Sequence, residues 1–131
     1  MATALQVEIV TPERSAYSGS ASEVILPAWD GEMGIYPDHD ALLALLRAGS
    51  CTVTDTAGVH RFVVGRGFVD IGPARVTILT DTCMKVSEVD KAKAGKDLAD
   101  AEHELATADA QSERYRQAQI ALEHARARLE A

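Results

Sequence analysis

A change of hydrophobic period near Met84 constrains this chain more than any other feature. Ahead of it lie all of the nine glycines but one, all four prolines, the tryptophan and both phenylalanines. Behind it Ala, Glu, Asp, Lys, Arg and Gln dominate. In the first part Leu5, Val7 and Ile9 alternate with Gln6 and Glu8, the period-two pattern of a half-buried strand that Pro12 ends. Glu23 to Leu26 reads as a short strand ended by Pro27. Cys51 to Thr54 and Val59 to Val64 flank the turn residues Asp55-Thr56-Ala57-Gly58 and predict a hairpin. Phe68 to Ile71 and Arg75 to Thr80 follow, separated by Gly72-Pro73, with Val76 and Ile78 on one face. Short strands punctuated this often predict a sandwich or barrel. In the second part Ala94, Leu98, Ala101, Leu105 and Ala108 recur at helical steps, and so do Tyr115, Ala118, Leu122, Ala125 and Leu129. The expected helix starts are Ser87, with Asp90 three residues on, and a turn at Thr107 to Ser112 capped by Asp109. Two facing stripes make an antiparallel helical hairpin. Its alanines bury little area, so the expected hairpin is held weakly.

At 131 residues a hydrophobic core forms without disulfides or metal. The longest apolar run, Ala41 to Leu46, falls far short of the ~20 residues a membrane span needs. The amino end has no basic segment leading into an apolar one, which sets the expectation of a cytoplasmic chain without a signal peptide. A net charge of −7 argues against nucleic acid and anionic lipid as direct partners. Cys51 and Cys83 sit in strand-like apolar surroundings and read as buried thiols, with no spacing that suggests zinc. Asp38-His39-Asp40 invites a catalytic or metal-binding reading, but a polar turn after Pro37 explains it more simply. Gly65-Arg66-Gly67 lacks the following helix of a dinucleotide site and reads as a bulge or tight turn between strands. Nothing assembles a nucleophile, a base and an oxyanion donor, so the expected catalytic and metal residues are none.

Four segments in register carry a family likeness. Gly31-Glu32-Met33-Gly34-Ile35-Tyr36-Pro37-Asp38-His39 is similar to the G-E-[LM]-G-[IV]-[LYF]-P-G-H signature of epsilon subunits of F-type ATP synthases. Arg47-Ala48-Gly49 resembles that family's corner before a strand. Gly65 to Ile71 resembles S-G-G-F-[LV]-E-V, and Val76 to Asp81 resembles V-T-[IV]-L-A-D. The resemblance implies a mainly β plus α fold: a ten-strand β-sandwich over residues 1–86, then an antiparallel two-helix hairpin over 87–131. It implies a non-catalytic central-stalk rotor subunit that couples the catalytic head to the c-ring, modulates ATP hydrolysis and lies peripherally on the cytoplasmic face of a bacterial plasma membrane. The implied partners are the gamma subunit, the c-ring and, through the hairpin, the alpha and beta subunits, with no nucleic acid and no direct membrane insertion. The alternative from the residues alone is a free-standing β-sandwich adaptor or ligand-binding module with a helical tail.

Residue by residue, the resemblance implies a c-ring-facing loop at Glu32, Tyr36, Asp38 and His39. Where the family carries glycine, this chain has Asp38. Arg114, Arg116, Arg126 and Arg128 are the expected contacts to the acidic catalytic head. Some bacterial relatives extend the second helix beyond the position of Ala131, so weak inhibition is expected here. Others bind ATP on the hairpin through an [IL]-D-x-x-R-A motif. Val89-Asp90-Lys91-Ala92-Lys93-Ala94 keeps Asp90 and Ala94 but puts Lys93 in place of the arginine. On the second helix Arg128 fits a helper arginine, and His124 stands where the other belongs. Lysine lacks the planar fork that holds phosphate through two bonds. Asp90, Lys93 and Arg128 therefore constitute at most a weak nucleotide site, and no cofactor is expected.

Overall fold

The computed structural model describes residues 4–131. Ten strands come first: β1 (Leu5–Val10), β2 (Ser15–Ala21), β3 (Glu23–Ala28), β4 (Gly31–Ile35), β5 (Leu42–Leu46), β6 (Gly49–Asp55), β7 (Gly58–Val64), β8 (Gly67–Ile71), β9 (Arg75–Thr80) and β10 (Cys83–Lys85). A 3₁₀ turn (Val86–Glu88) leads to the helices α1 (Lys91–Thr107) and α2 (Glu113–Glu130). Strand order is β10-β7-β6-β3-β5-β8-β9-β1-β2, with β4 on the other side of β3. All ladders are antiparallel except that of β1 with β9.

Alternation decides which side of each strand is buried. Leu5, Val7 and Ile9 are fully buried, as are Val24 and Leu26, Val53, Val69, and Val76 and Ile78, all in one shared core. The ladder is continuous, yet β3 and β5 share a single residue pair, Ala28 with Leu46. The Trp29 amide donates to the Leu45 carbonyl (2.9 Å), and the Arg47 amide to the Pro27 carbonyl (3.0 Å). Here the sheet folds over, bringing β2 against β6 and closing the sandwich. The expected strand end at Pro27 is corrected: β3 continues to Ala28, pairing Pro27 with Glu32. Proline lacks only an N–H, and its carbonyl serves the corner. Gly49 clears the way, since a β-carbon there would meet Pro27 Cβ at 2.9 Å.

The helix starts also differ from expectation. Ser87 lies in the 3₁₀ turn, and Asp90 caps α1 by accepting from the Lys93 amide (3.0 Å). Ser112 caps α2, accepting from the Tyr115 amide (3.2 Å), while Asp109 shapes the turn by accepting from the Gln111 amide (2.8 Å). Both are short oxygen side chains satisfying orphan amides, as the first turn of a helix requires. The seam is as the stripes imply: Ala94, Ala101, Ala118 and Ala125 are buried, with Leu98, Leu105, Leu122 and Leu129 half-buried.

One polar cluster ties the layers together. Asp55 Oδ2 accepts from the Tyr17 hydroxyl and lies within hydrogen-bond distance of His60 Nε2, both at 2.8 Å. Burial, reinforced by Asp55, pushes the Tyr17 hydroxyl up to about 12. The bonds from Tyr17 and His60 hold the Asp55 carboxyl below its ordinary value. A depressed carboxyl contributes stability above the unfolded pKa of ~3.9 and loses it as pH falls through the folded value. Asp55→Ala is expected to lower the melting temperature at pH 7, with the gap to the parent narrowing below about pH 4. A gap of constant size from pH 7 to pH 3 in thermal melts excludes this role.

Candidate functional site

The signature residues do not form one patch. Glu32, Gly34 and Tyr36 point to the same exposed side of β4 and its continuation, alternating with Met33 and buried Ile35. Strand rise sets Glu32 and Tyr36 ~13 Å apart. Glu32 lies opposite Pro27, near the β3–β4 turn. Tyr36 folds back over Gly34, where a β-carbon would sit 3.4 Å from its ring. A hydrogen bond with Glu23 raises its hydroxyl pKa. Asp38 and His39 lie at the far end, where the Asp38 amide donates to the Pro73 carbonyl (2.7 Å). His39 Nδ1 is 2.6 Å from the Asp40 carbonyl. So Tyr36, Asp38 and His39 share one end of the sandwich and Glu32 lies toward the other.

Asp38 adopts φ 68°, the left-handed region that favours glycine. Aspartate is among the side chains that tolerate it.

The sequence reading missed an apolar stripe across the outer face. Trp29 (52% exposed), Leu43 (69%), Leu45 (50%), Phe68 (50%) and Leu79 (46%) all face solvent. Register aligns them: Leu45 pairs with Phe68, and Phe68 with Leu79. The run Leu42-Leu43-Ala44-Leu45-Leu46 hides its alternation because both faces are apolar, so only the pairing partners reveal which side is exposed.

The hairpin residues are largely committed to one another. Arg128 donates to Asp97 (3.0 Å), and to the His124 carbonyl (3.3 Å). Asp97 is two helical turns, ~10 Å, beyond Asp90, whose carboxylate is occupied in capping. Lys93 is exposed. Asp90 and Arg128 are thus each engaged within the hairpin, the one at its own helix start and the other at Asp97. Arg114 pairs with Glu104 and Arg116 with Glu113, while Arg126 is exposed.

Gly65-Arg66 is the turn between β7 and β8, Gly67 opens β8, and the turn also meets α2. Arg66 forms two parallel bonds to Glu123, at 2.7 and 2.8 Å. A cavity of about 300 Å³ beside it is lined by Arg14, Cys83, His124 and Arg128, among others. Cys83 and Cys51 are buried and unbridged. Burial pushes their thiols up to about 11 and about 12, far from the reactive thiolate. Among the described residues no His, Cys, Asp and Glu group is arranged to hold a metal ion.

Residues 4–86 match the family model for the β-sandwich domain of the ATP synthase delta/epsilon chain. This chain belongs to the ATP synthase delta/epsilon family. An ATP synthase epsilon chain from Thioalkalivibrio sulfidiphilus is 37% identical, covering 98% of this chain and 92% of its own length. The fold is similar to a chain in the Euglena gracilis mitochondrial ATP synthase OSCP/F1/c-ring structure, with TM-score 0.83 and 21% identity over 96% of this chain and 79% of that one. It is also similar to a chain of the Tetrahymena thermophila mitochondrial ATP synthase central stalk and c-ring, with TM-score 0.64 and 16% identity over 96% and 94%. Within this family the glycine of the G-E-[LM]-G signature's P-G-H ending has a backbone reason, given by Asp38. Asp38→Val is expected to cost about 1–2 kcal/mol more than Asp38→Gly, because a β-branched side chain resists this backbone conformation. Equal denaturant midpoints for the two variants contradict that strain.

Proposed function

We propose that this epsilon-family chain is a non-catalytic rotor subunit of a proton-translocating F-type ATP synthase, seated in the central stalk. The observation that carries this is the exposed Trp29–Leu43–Leu45–Phe68–Leu79 stripe on a family sandwich. A contiguous apolar face of this kind marks a protein interface. The gamma subunit is its proposed occupant. Glu32 and the adjacent Asp30 at the β3–β4 turn, or Asp38 and His39 at the opposite end, offer acidic surface toward the c-ring. No described helix is long and apolar enough to cross a membrane. The proposed location, that of a stalk subunit beside a c-ring, is peripheral, on the cytoplasmic face of a bacterial plasma membrane.

The hairpin's contacts to the alpha and beta subunits form the regulatory part of this reading. Arg114, Arg116 and Arg128 already have carboxylate partners. Engaging an acidic partner means exchanging those pairs, which favours modest modulation of ATP hydrolysis. Nucleotide binding is held to be weak for the same reason, with Arg128 engaged by Asp97 and Asp90 by its own helix.

The test is reconstitution with the catalytic head and gamma subunit. The Leu45→Glu, Phe68→Glu double variant alters exposed side chains and is expected to fold, yet to bind the stalk about 10–100-fold more weakly, the size of a lost interface anchor. Unchanged affinity removes the stripe from the interface. Calorimetry of the isolated chain with Mg-ATP is expected to show no dissociation constant in the low micromolar range or below.

A further inference from the structure

We infer that the hairpin docks on the sandwich through an ionic latch at Gly65-Arg66, so that docking in this chain responds to ionic strength. The Arg66 guanidinium grips the Glu123 carboxylate through both Nε (2.7 Å) and a terminal nitrogen (2.8 Å). Glu123 and Asp81 together hold the guanidinium above its already high ordinary value. Next to it, Gly65 leaves a slot that His124 fills: a β-carbon there would come within 2.8 Å of His124 Nε2 and 1.8 Å of Asp81 Oδ1. His124 Nε2 is buried and lies 3.2 Å from Asp81 Oδ2, at an angle that makes no hydrogen bond.

The apolar side chains near these charges are Val63, buried on β7 outside the sandwich core, and Ala127. Glu123 and Ala127 are one turn apart on α2, and Ala127, buried outside the hairpin stripe, is the small apolar residue in that row. The larger side chains Leu98, Leu105, Leu122 and Leu129 belong to the seam between the helices. A paired arginine that is 40% exposed is open to screening, which shortens from ~10 Å in 0.1 M salt to ~3 Å in 1 M. Docking that rested on apolar burial would not weaken in salt.

Cys83 supplies a readout. The residue is 8% exposed and lines the same cavity as His124 and Arg128. Both cysteines belong to the sandwich core, but of the two only Cys83 also lines this cavity, so undocking is expected to raise its accessibility more than that of Cys51. Labelling of the full chain by a maleimide, with peptide mapping to separate the two cysteines, follows the opening directly. Glu123→Gln keeps the helix surface and removes the charge. It is expected to speed Cys83 labelling about two- to fivefold at low salt, the scale of a part-exposed ion pair. Raising salt to 1 M should speed the parent similarly and leave Glu123→Gln nearly unchanged. Arg66→Glu should label fast, and the Arg66→Glu, Glu123→Arg exchange should return toward the parent rate. Should Arg66→Glu fail to fold, the salt response of parent against Glu123→Gln decides alone. Parallel salt responses in those two proteins overturn the latch.

Discussion

The architecture depends on one corner. β3 and β5 share the single ladder pair Ala28 and Leu46, and two amide bonds, Trp29 to Leu45 and Arg47 to Pro27, carry the ladder around it. Without that corner ten strands would form an open sheet with two wet faces. With it, the inward side chains of both halves close on one core, and the outward ones of β5, β8 and β9 become the face bearing Leu45, Phe68 and Leu79. The apolar core and the proposed gamma-binding stripe are opposite sides of the same strands.

How much of this the sequence revealed follows from how distinct each local signal is. β1, β6–β9 and both helices were legible because polar and apolar residues alternate there with a clear period. β2 (Ser15–Ala21) was not read from its residues: it is small and polar, and its place at the sheet edge asks little of them. β5 was visible only as an apolar run. Pro27 was read as a stop, although only tertiary context shows that its missing N–H is not needed. The ten-strand total came from family resemblance, not periodicity.

The candidate site was legible in motif but not in space. A contiguous motif invited the grouping of Glu32 with Tyr36, Asp38 and His39, yet an extended strand carries its residues apart. Conversely, Arg66 and Glu123 are 57 positions apart and share no local pattern. Gly65 and Gly67 were recognised as turn residues, but their lack of side chains also serves close approach, to Asp81 and His124 in one case and to the Leu79 carbonyl, 1.9 Å from a β-carbon, in the other.

The alanine-rich seam suggested two helices that part readily. Yet the pair is fastened at both ends: the Asp109–Ser112 turn closes one, and at the other Lys91 Nζ donates to the Leu129 carbonyl (2.7 Å), with Arg128 and Asp97 bridging between. Each tie is small, but together they join the start of α1 to the end of α2. These ties make the hairpin one unit, joined to the sandwich side through the short extended stretch at Val89 that separates the 3₁₀ turn from Asp90.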